Sequence, residues 1–199
     1  MDKSWHEVAR ALASSQLALI PTDTIYGLAA KALGKEAIGR LDKVKERADS
    51  KPYIILIAAL SDLSVFNIYL SDQQKLFLNQ IWPGPISVIL PCSSSSFAYL
   101  HRGRNLAFRL PNHSKLCSLV KMVGPLAAPS ANPAGESPAK TIAMAKNYYG
   151  NKVAADIRAN QEPLTGIPSA VVDFSGPKPV LIRPSGPLVE KIIQSFTGE

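Results

Sequence analysis

The chain has 199 residues, 46% hydrophobic and 19% charged, with a formal net charge of +7 at pH 7. These values fit one globular domain over residues 1–199 with a full core, and they exclude a disordered chain. No apolar run reaches the length of a membrane span. The basic balance favours anionic partners such as nucleotides, nucleic acid or acidic proteins; with no Lys/Arg block, scattered surface lysines explain it equally well.

Trp5, Val8, Ala9 and Leu12 recur at helical spacing, so the chain opens with an amphipathic helix. Asp2 and Glu7 interrupt it, and it lacks the apolar core of a signal peptide. LALIP from Leu17 reads as a short buried strand, and Ile38, Leu41 and Val44 mark a second helix ending near Lys45. YIILIA from Tyr53 is a strand of β-branched and aliphatic residues. Ser71 and Gln74 form a capping-box pattern before a helix running towards Trp82. WPGP from Trp82 to Pro85 must turn, because proline stops both helices and central strands. ISVIL from Ile86 is a strand, SSSS from Ser93 to Ser96 a flexible loop, and NLAFRL from Asn105 another strand. A helix over 113–123, a buried strand PLAA from Pro125 and a helix over 141–148 follow. Short strands near Val153, Ala170 and Val180 precede a final helix from about Leu188. Alternating helices and strands define an α/β class, and the late strands without helices between them imply a mixed sheet.

Polar motifs interrupt this apolar pattern. PTDTIYGLAA (Pro21 to Ala30) sits where a strand ends and offers the hydroxyls of Thr22 and Thr24 beside Gly27; a plain turn with Asp23 bonding its own backbone is the alternative. KERADSKP places Lys45 and Arg47 at a helix end with Lys51 beyond, which suits either the helix C-terminus or a triphosphate clamp. PSANPAG offers Ser130, Asn132 and loop N–H groups to an anion, or is an ordinary turn. Arg109 in LAFRLP and Arg183 in VLIRPSG either face the core, where a charge needs a partner, or point to solvent by strand alternation. His6, His101 and His113 are scattered and give no metal triad, and no serine nucleophile elbow occurs. Cys92 and Cys117 match no zinc spacing and read as reduced thiols of a cytoplasmic protein.

In order along nearly the whole chain, PTDTIYGL, KERADSKP, WPGPISVILP, LAFRLPNH, PSANPAGESP, GIPSAVVD and VLIRPSG resemble the signatures of the YrdC-like threonylcarbamoyl-AMP synthase family. The resemblance implies a YrdC-like fold: a twisted open mixed sheet flanked by helices, with a basic concave face. It implies a nucleotidyltransferase that condenses L-threonine, bicarbonate or carbon dioxide, and ATP into threonylcarbamoyl-adenylate and pyrophosphate. Downstream proteins then transfer the group to tRNA. By resemblance, Lys45, Arg47 and Lys51 carry the catalytic phosphate contacts. Ser130, Asn132 and Arg183 complete the ATP site, and Thr24, Arg109 and Ser169 hold threonine. Mg²⁺ would come with ATP rather than occupy a protein metal site. Ala48 stands where many relatives carry proline, and Leu56 where some longer relatives carry histidine. The chain ends soon after Arg183, like the short bacterial form. The competing expectation is a non-catalytic module of the same fold that binds double-stranded RNA or tRNA.

Overall fold

The computed structural model describes residues 2–46, 53–101, 105–157 and 164–197. In chain order the first half contains α1 (Lys3–Ala13), β1 (Ala18–Pro21), β2 (Tyr26–Lys31), α2 (Lys35–Lys45), β3 (Ile54–Leu56), α3 (Asp72–Ile81) and β4 (Ile86–Leu90). The second half contains α4 (Ala98–His101), β5 (Leu106–Arg109), α5 (Ser114–Val123), β6 (Leu126–Ala127), α6 (Ile142–Tyr149), β7 (Ala155–Asp156), β8 (Ala170–Asp173), β9 (Val180–Arg183) and α7 (Pro187–Thr197). Among the described residues the strands form one nine-stranded sheet in the order β7-β1-β2-β6-β3-β5-β4-β8-β9. The pairings β1–β7, β3–β5 and β4–β8 are parallel and the others antiparallel, so the sheet is mixed.

Strand alternation sends successive side chains to opposite faces, and helices cover both. Ile20, Ala29 and Leu56 pack on one face against Trp5, Leu12 and Leu116 of α1 and α5. Leu19, Leu28 and Ile55 pack on the other, in the core that holds Ile38 of α2, Phe77 of α3 and Ile193 of α7. Full burial of one such Leu, Ile or Phe side chain is worth about 1.5–3 kcal/mol. The helix starts obey local chemistry. Asp2 accepts the Trp5 N–H at α1, and Ser71 and Gln74 exchange hydrogen bonds at α3 as the sequence predicts. His113 Nδ1 accepts the Leu116 N–H at α5.

Two local expectations are corrected. The segment after Pro21 does not leave the sheet: it returns as β2, with Pro21 opposite Tyr26. Its small residues Gly27, Ala29 and Ala30 are buried on both faces, so no alternation marked it as a strand. The serine run, read as a flexible loop, contains the start of a 3₁₀ turn over Ser95–Phe97 that leads into α4. The expected strand near Val153 lies at Ala155–Asp156. Neither cysteine is in a disulfide, and no helix among the described residues is long and apolar enough to cross a membrane.

Candidate active site

The β1–β2 hairpin builds one wall of a cleft. Thr22 Oγ1 accepts the N–H groups of Thr24 and Ile25 at 3.1 and 3.3 Å and donates to the Ile25 carbonyl at 2.7 Å. Its single proton is then committed, so the 2.9 Å contact between Thr22 and Thr24 hydroxyls has Thr24 donating. Thr24 Oγ1 keeps its lone pairs for Arg109 Nη1, 3.2 Å away. Asp23 does not bond its own turn, as one sequence reading expected. Its Oδ2 accepts the Asn112 N–H at 3.1 Å, and its Oδ1 lies 3.2 Å from Arg109 Nη2. Thr22 supplies the turn bonds instead, leaving the Asp23 carboxylate for a buried cation.

Arg109 ends β5, a strand buried at every position. It is only 5% exposed, because Thr24 and Asp23 of the β1–β2 turn lie against it, so alternation does not carry it to solvent. Its Nε has no hydrogen-bond partner among the described residues. Burial pushes the guanidinium pKa down, Asp23 pulls it back up, and Arg183 pushes it down again. Two guanidiniums and one carboxylate leave a local positive excess that an incoming anion would neutralise.

Arg183 lies at the end of β9, opposite Val171 of β8. Its Nε and Nη2 donate to the Ser169 carbonyl at 3.0 and 2.7 Å. Ser169 is buried, and its hydroxyl meets that of Ser87 at 3.0 Å. Burial lowers the Arg183 pKa as well.

On the other side, the loop after β6 is fastened to the hairpin. The Ala131 N–H donates to the Tyr26 carbonyl at 2.9 Å, and Ser130 bridges to Gly27. Gly27 leaves the hairpin flat here: an added Cβ would sit 3.5 Å from the Ala128 Cβ, so the strand and the loop lie in van der Waals contact. Lys45, the last residue of α2, does more than cap its own helix. Its Nζ donates to the Ser130 carbonyl at 3.0 Å and to the Asn132 carbonyl, and it sits 5.7 Å from the Tyr149 ring centroid. Asn132 Nδ2 donates to the Pro133 and Glu136 carbonyls at 3.0 and 2.8 Å, so this amide orders its own loop. Asn132 Oδ1 is buried without a hydrogen-bond partner among the described residues.

Thr22, Thr24, Gly27, Arg109, Ser130, Ser169 and Arg183 line one open cleft of about 130 Å³. Thus Thr24, Arg109, Ser130, Ser169 and Arg183, singled out from the sequence, converge. Lys45 reaches them through the Ser130 loop, while Asn132 is not on the lining. Arg47 and Lys51 lie outside the described residues. Sequence reasoning passed over Asp23 as the partner of Arg109, and it passed over Ser87 and Tyr149. A lone hydroxyl inside the apolar run ISVIL was the available signal for Ser87. No cluster of three or more His, Cys, Asp or Glu side chains able to hold a metal occurs among the described residues.

Fold and cleft together define an α/β domain with a buried cation site suited to small anions. The family model described as "Telomere recombination" matches residues 10–185, and the chain belongs to this Sua5/YciO/YrdC family. A threonylcarbamoyl-AMP synthase of Pyrococcus abyssi is 35% identical over 184 residues, covering 89% of this chain and 54% of that protein. One from Bacillus subtilis is 31% identical over 195 residues, covering 96% of this chain and 56% of that protein. The crystal structure of P. abyssi Sua5 complexed with L-threonine matches with a TM-score of 0.87 at 30% identity, covering 96% of this chain and 58% of that one. The chain spans a little over half the length of these relatives.

Proposed function

We propose that the chain condenses L-threonine, bicarbonate or carbon dioxide, and ATP into threonylcarbamoyl-adenylate and pyrophosphate, for threonylcarbamoyladenosine modification of tRNA. The observation that carries this reading is Arg109, a guanidinium 5% exposed at the cleft, part-satisfied by Thr24 and Asp23 and facing a second cation. Such a group suits the carboxylate of an amino acid. The L-threonine complex of the Pyrococcus relative supports the choice of amino acid.

In this reading Thr24, Arg109 and Ser169 hold threonine, with Arg109 on its carboxylate. Lys45, Arg47 and Lys51 hold the triphosphate, and Ser130, Asn132 and Arg183 contact the nucleotide. The threonine nitrogen forms a bond to the carbon of carbon dioxide and loses a proton, giving a carbamate. A carbamate oxygen then bonds to the α-phosphorus as the bond to the bridging oxygen breaks, and pyrophosphate leaves. Catalysis of this kind rests on alignment and charge neutralisation, which cations and fixed hydroxyls supply without an acid–base pair.

Mg²⁺ would enter with ATP and offset its charge. The cleft lining offers cations and hydroxyls, and the neighbouring Asp23 carboxylate is engaged by Arg109. A basic face around the cleft, contact with tRNA, hand-over to transfer proteins and a cytoplasmic setting belong to the same proposal.

Calorimetric titration with L-threonine and L-valine tests the amino-acid half. Threonine should bind and valine should bind several-fold more weakly. No threonine binding at millimolar concentration, with or without ATP, would sink the reading.

A further inference from the structure

Ser87 is a hydroxyl at the second position of the apolar strand β4, 0% exposed, and so out of reach of any ligand. Its neighbours Ile86 and Val88 are both buried core residues. A serine here leaves a polar group in the core, which is tolerable only with a hydrogen-bond partner. The partner is the Ser169 hydroxyl, 3.0 Å away and 82 positions along the chain. The parallel pairing of β4 and β8, with Ile86 opposite Ala170, brings the two residues together. Ser169 is itself 2% exposed, lines the cleft, and holds Arg183 on its carbonyl.

We propose that Ser87 is a positioning residue that orients the Ser169 hydroxyl and thereby sets the preference of the cleft for a β-hydroxy amino acid over its hydrocarbon isostere. This inference rests on the functional reading above. A serine hydroxyl has one proton and two lone pairs. For Ser169, the Ser87 hydroxyl fixes one direction from behind. The Arg183 Nη2, 3.5 Å away, can only donate and occupies the side. The remaining direction, towards the cleft, is left for a ligand hydroxyl. Without Ser87 the Ser169 hydroxyl keeps only the 3.5 Å contact from Arg183 Nη2, and a ligand hydroxyl must complete its ordering on binding. A ligand methyl makes no use of that order and loses nothing.

Pyrophosphate release with threonine and with valine, measured on the full chain, tests this. Ser87→Ala should lower kcat/KM for threonine about three- to tenfold, leave valine unchanged and leave the KM for ATP unchanged. Ser87→Cys keeps the side-chain shape with a somewhat larger atom and supplies only a weak donor, so its threonine-to-valine ratio should fall between those of wild type and Ser87→Ala. If Ser87→Ala does not fold, the Ser87→Cys ratio decides alone. Equal losses on both amino acids, or a Ser87→Cys ratio equal to wild type, would assign Ser87 to packing and overturn the inference. Threonine-dependent release by the wild type with an unchanged ratio in the variants overturns this inference alone. No threonine-dependent release by the wild type overturns the functional reading as well.

Discussion

Arg109 and Asp23 approach to 3.2 Å with side chains only 6% and 9% exposed, and they join the end of β5 to the β1–β2 turn. The pair has ion-pair distance without full hydrogen-bond alignment, since Asp23 Oδ1 lacks a hydrogen-bond partner among the described residues. Desolvation makes such a pair a weak source of net stability, but losing one partner is costly. Asp23→Ala leaves Arg109 buried beside Arg183 and should destabilise the fold by about 3–5 kcal/mol in urea unfolding. Asp23→Ala combined with Arg109→Met should lose clearly less than the sum of the single changes. Additive losses would mean that the two groups do not interact.

Arg109→Ala should weaken threonine binding about 30- to 150-fold while changing ATP affinity little. Arg109→Lys should recover only part of the loss, because separate nitrogens of the guanidinium meet Thr24 and Asp23 and an ammonium cannot span both. Paired titrations with each ligand measure this. A comparable loss for both ligands contradicts the assignment of Arg109 to the amino acid.

Lys45 has the opposite bias. Lys45→Met removes the bonds to the Ser130 and Asn132 carbonyls and should raise the KM for ATP about tenfold or more, with threonine affinity nearly kept. Hydrogen exchange at the loop residues 130–136 should quicken in the same variant, because the fastening between α2 and the loop is lost. Arg47→Ala and Lys51→Ala should also act mainly on ATP. Unchanged ATP kinetics in Lys45→Met would separate this lysine from the nucleotide.

Tyr149, against the Lys45 ammonium, has its phenol pKa pushed from 10.0 up to about 12 by burial, by Glu46 and by Tyr148. A raised pKa in the folded state means that the native protein holds this proton more tightly than the unfolded chain does. Its contribution to stability is therefore complete below pH 10 and is lost as pH rises from 10.0 through about 12. Tyr149→Phe should flatten the stability decline over that window. Phenolate absorbance in the wild type should also lack the share of Tyr149 until about pH 12. An ordinary titration of every tyrosine near pH 10 would contradict the burial argument.

The α/β class and most helices were legible because their signals are local. Trp5, Val8 and Leu12 mark a helix face, and Ser71 with Gln74 marks a start. β2 was not legible, because Gly27, Ala29 and Ala30 carry no alternation and the strand is defined by its neighbours β1 and β6. The polar motifs pointed to Thr24, Arg109, Ser130 and Arg183, and the family resemblance to Ser169, all of which the fold brings to one cleft. What the sequence could not supply were pairings between distant segments. Asp23 with Arg109, Ser87 with Ser169, and Lys45 with the Ser130 loop are each set by sheet order rather than spacing. Arg109 is the instructive case: alternation suggested a route to solvent, and the β1–β2 turn, through Thr24 and Asp23, closes it.

The most direct measurement is pyrophosphate release from ATP, Mg²⁺ and bicarbonate, with and without L-threonine, with the adenylate product followed by mass spectrometry. The account predicts threonine-dependent release, threonylcarbamoyl-adenylate as the product, and much weaker release with serine or valine. Binding of ATP and tRNA without any threonine-dependent release would contradict it and favour an RNA-binding module of the same fold.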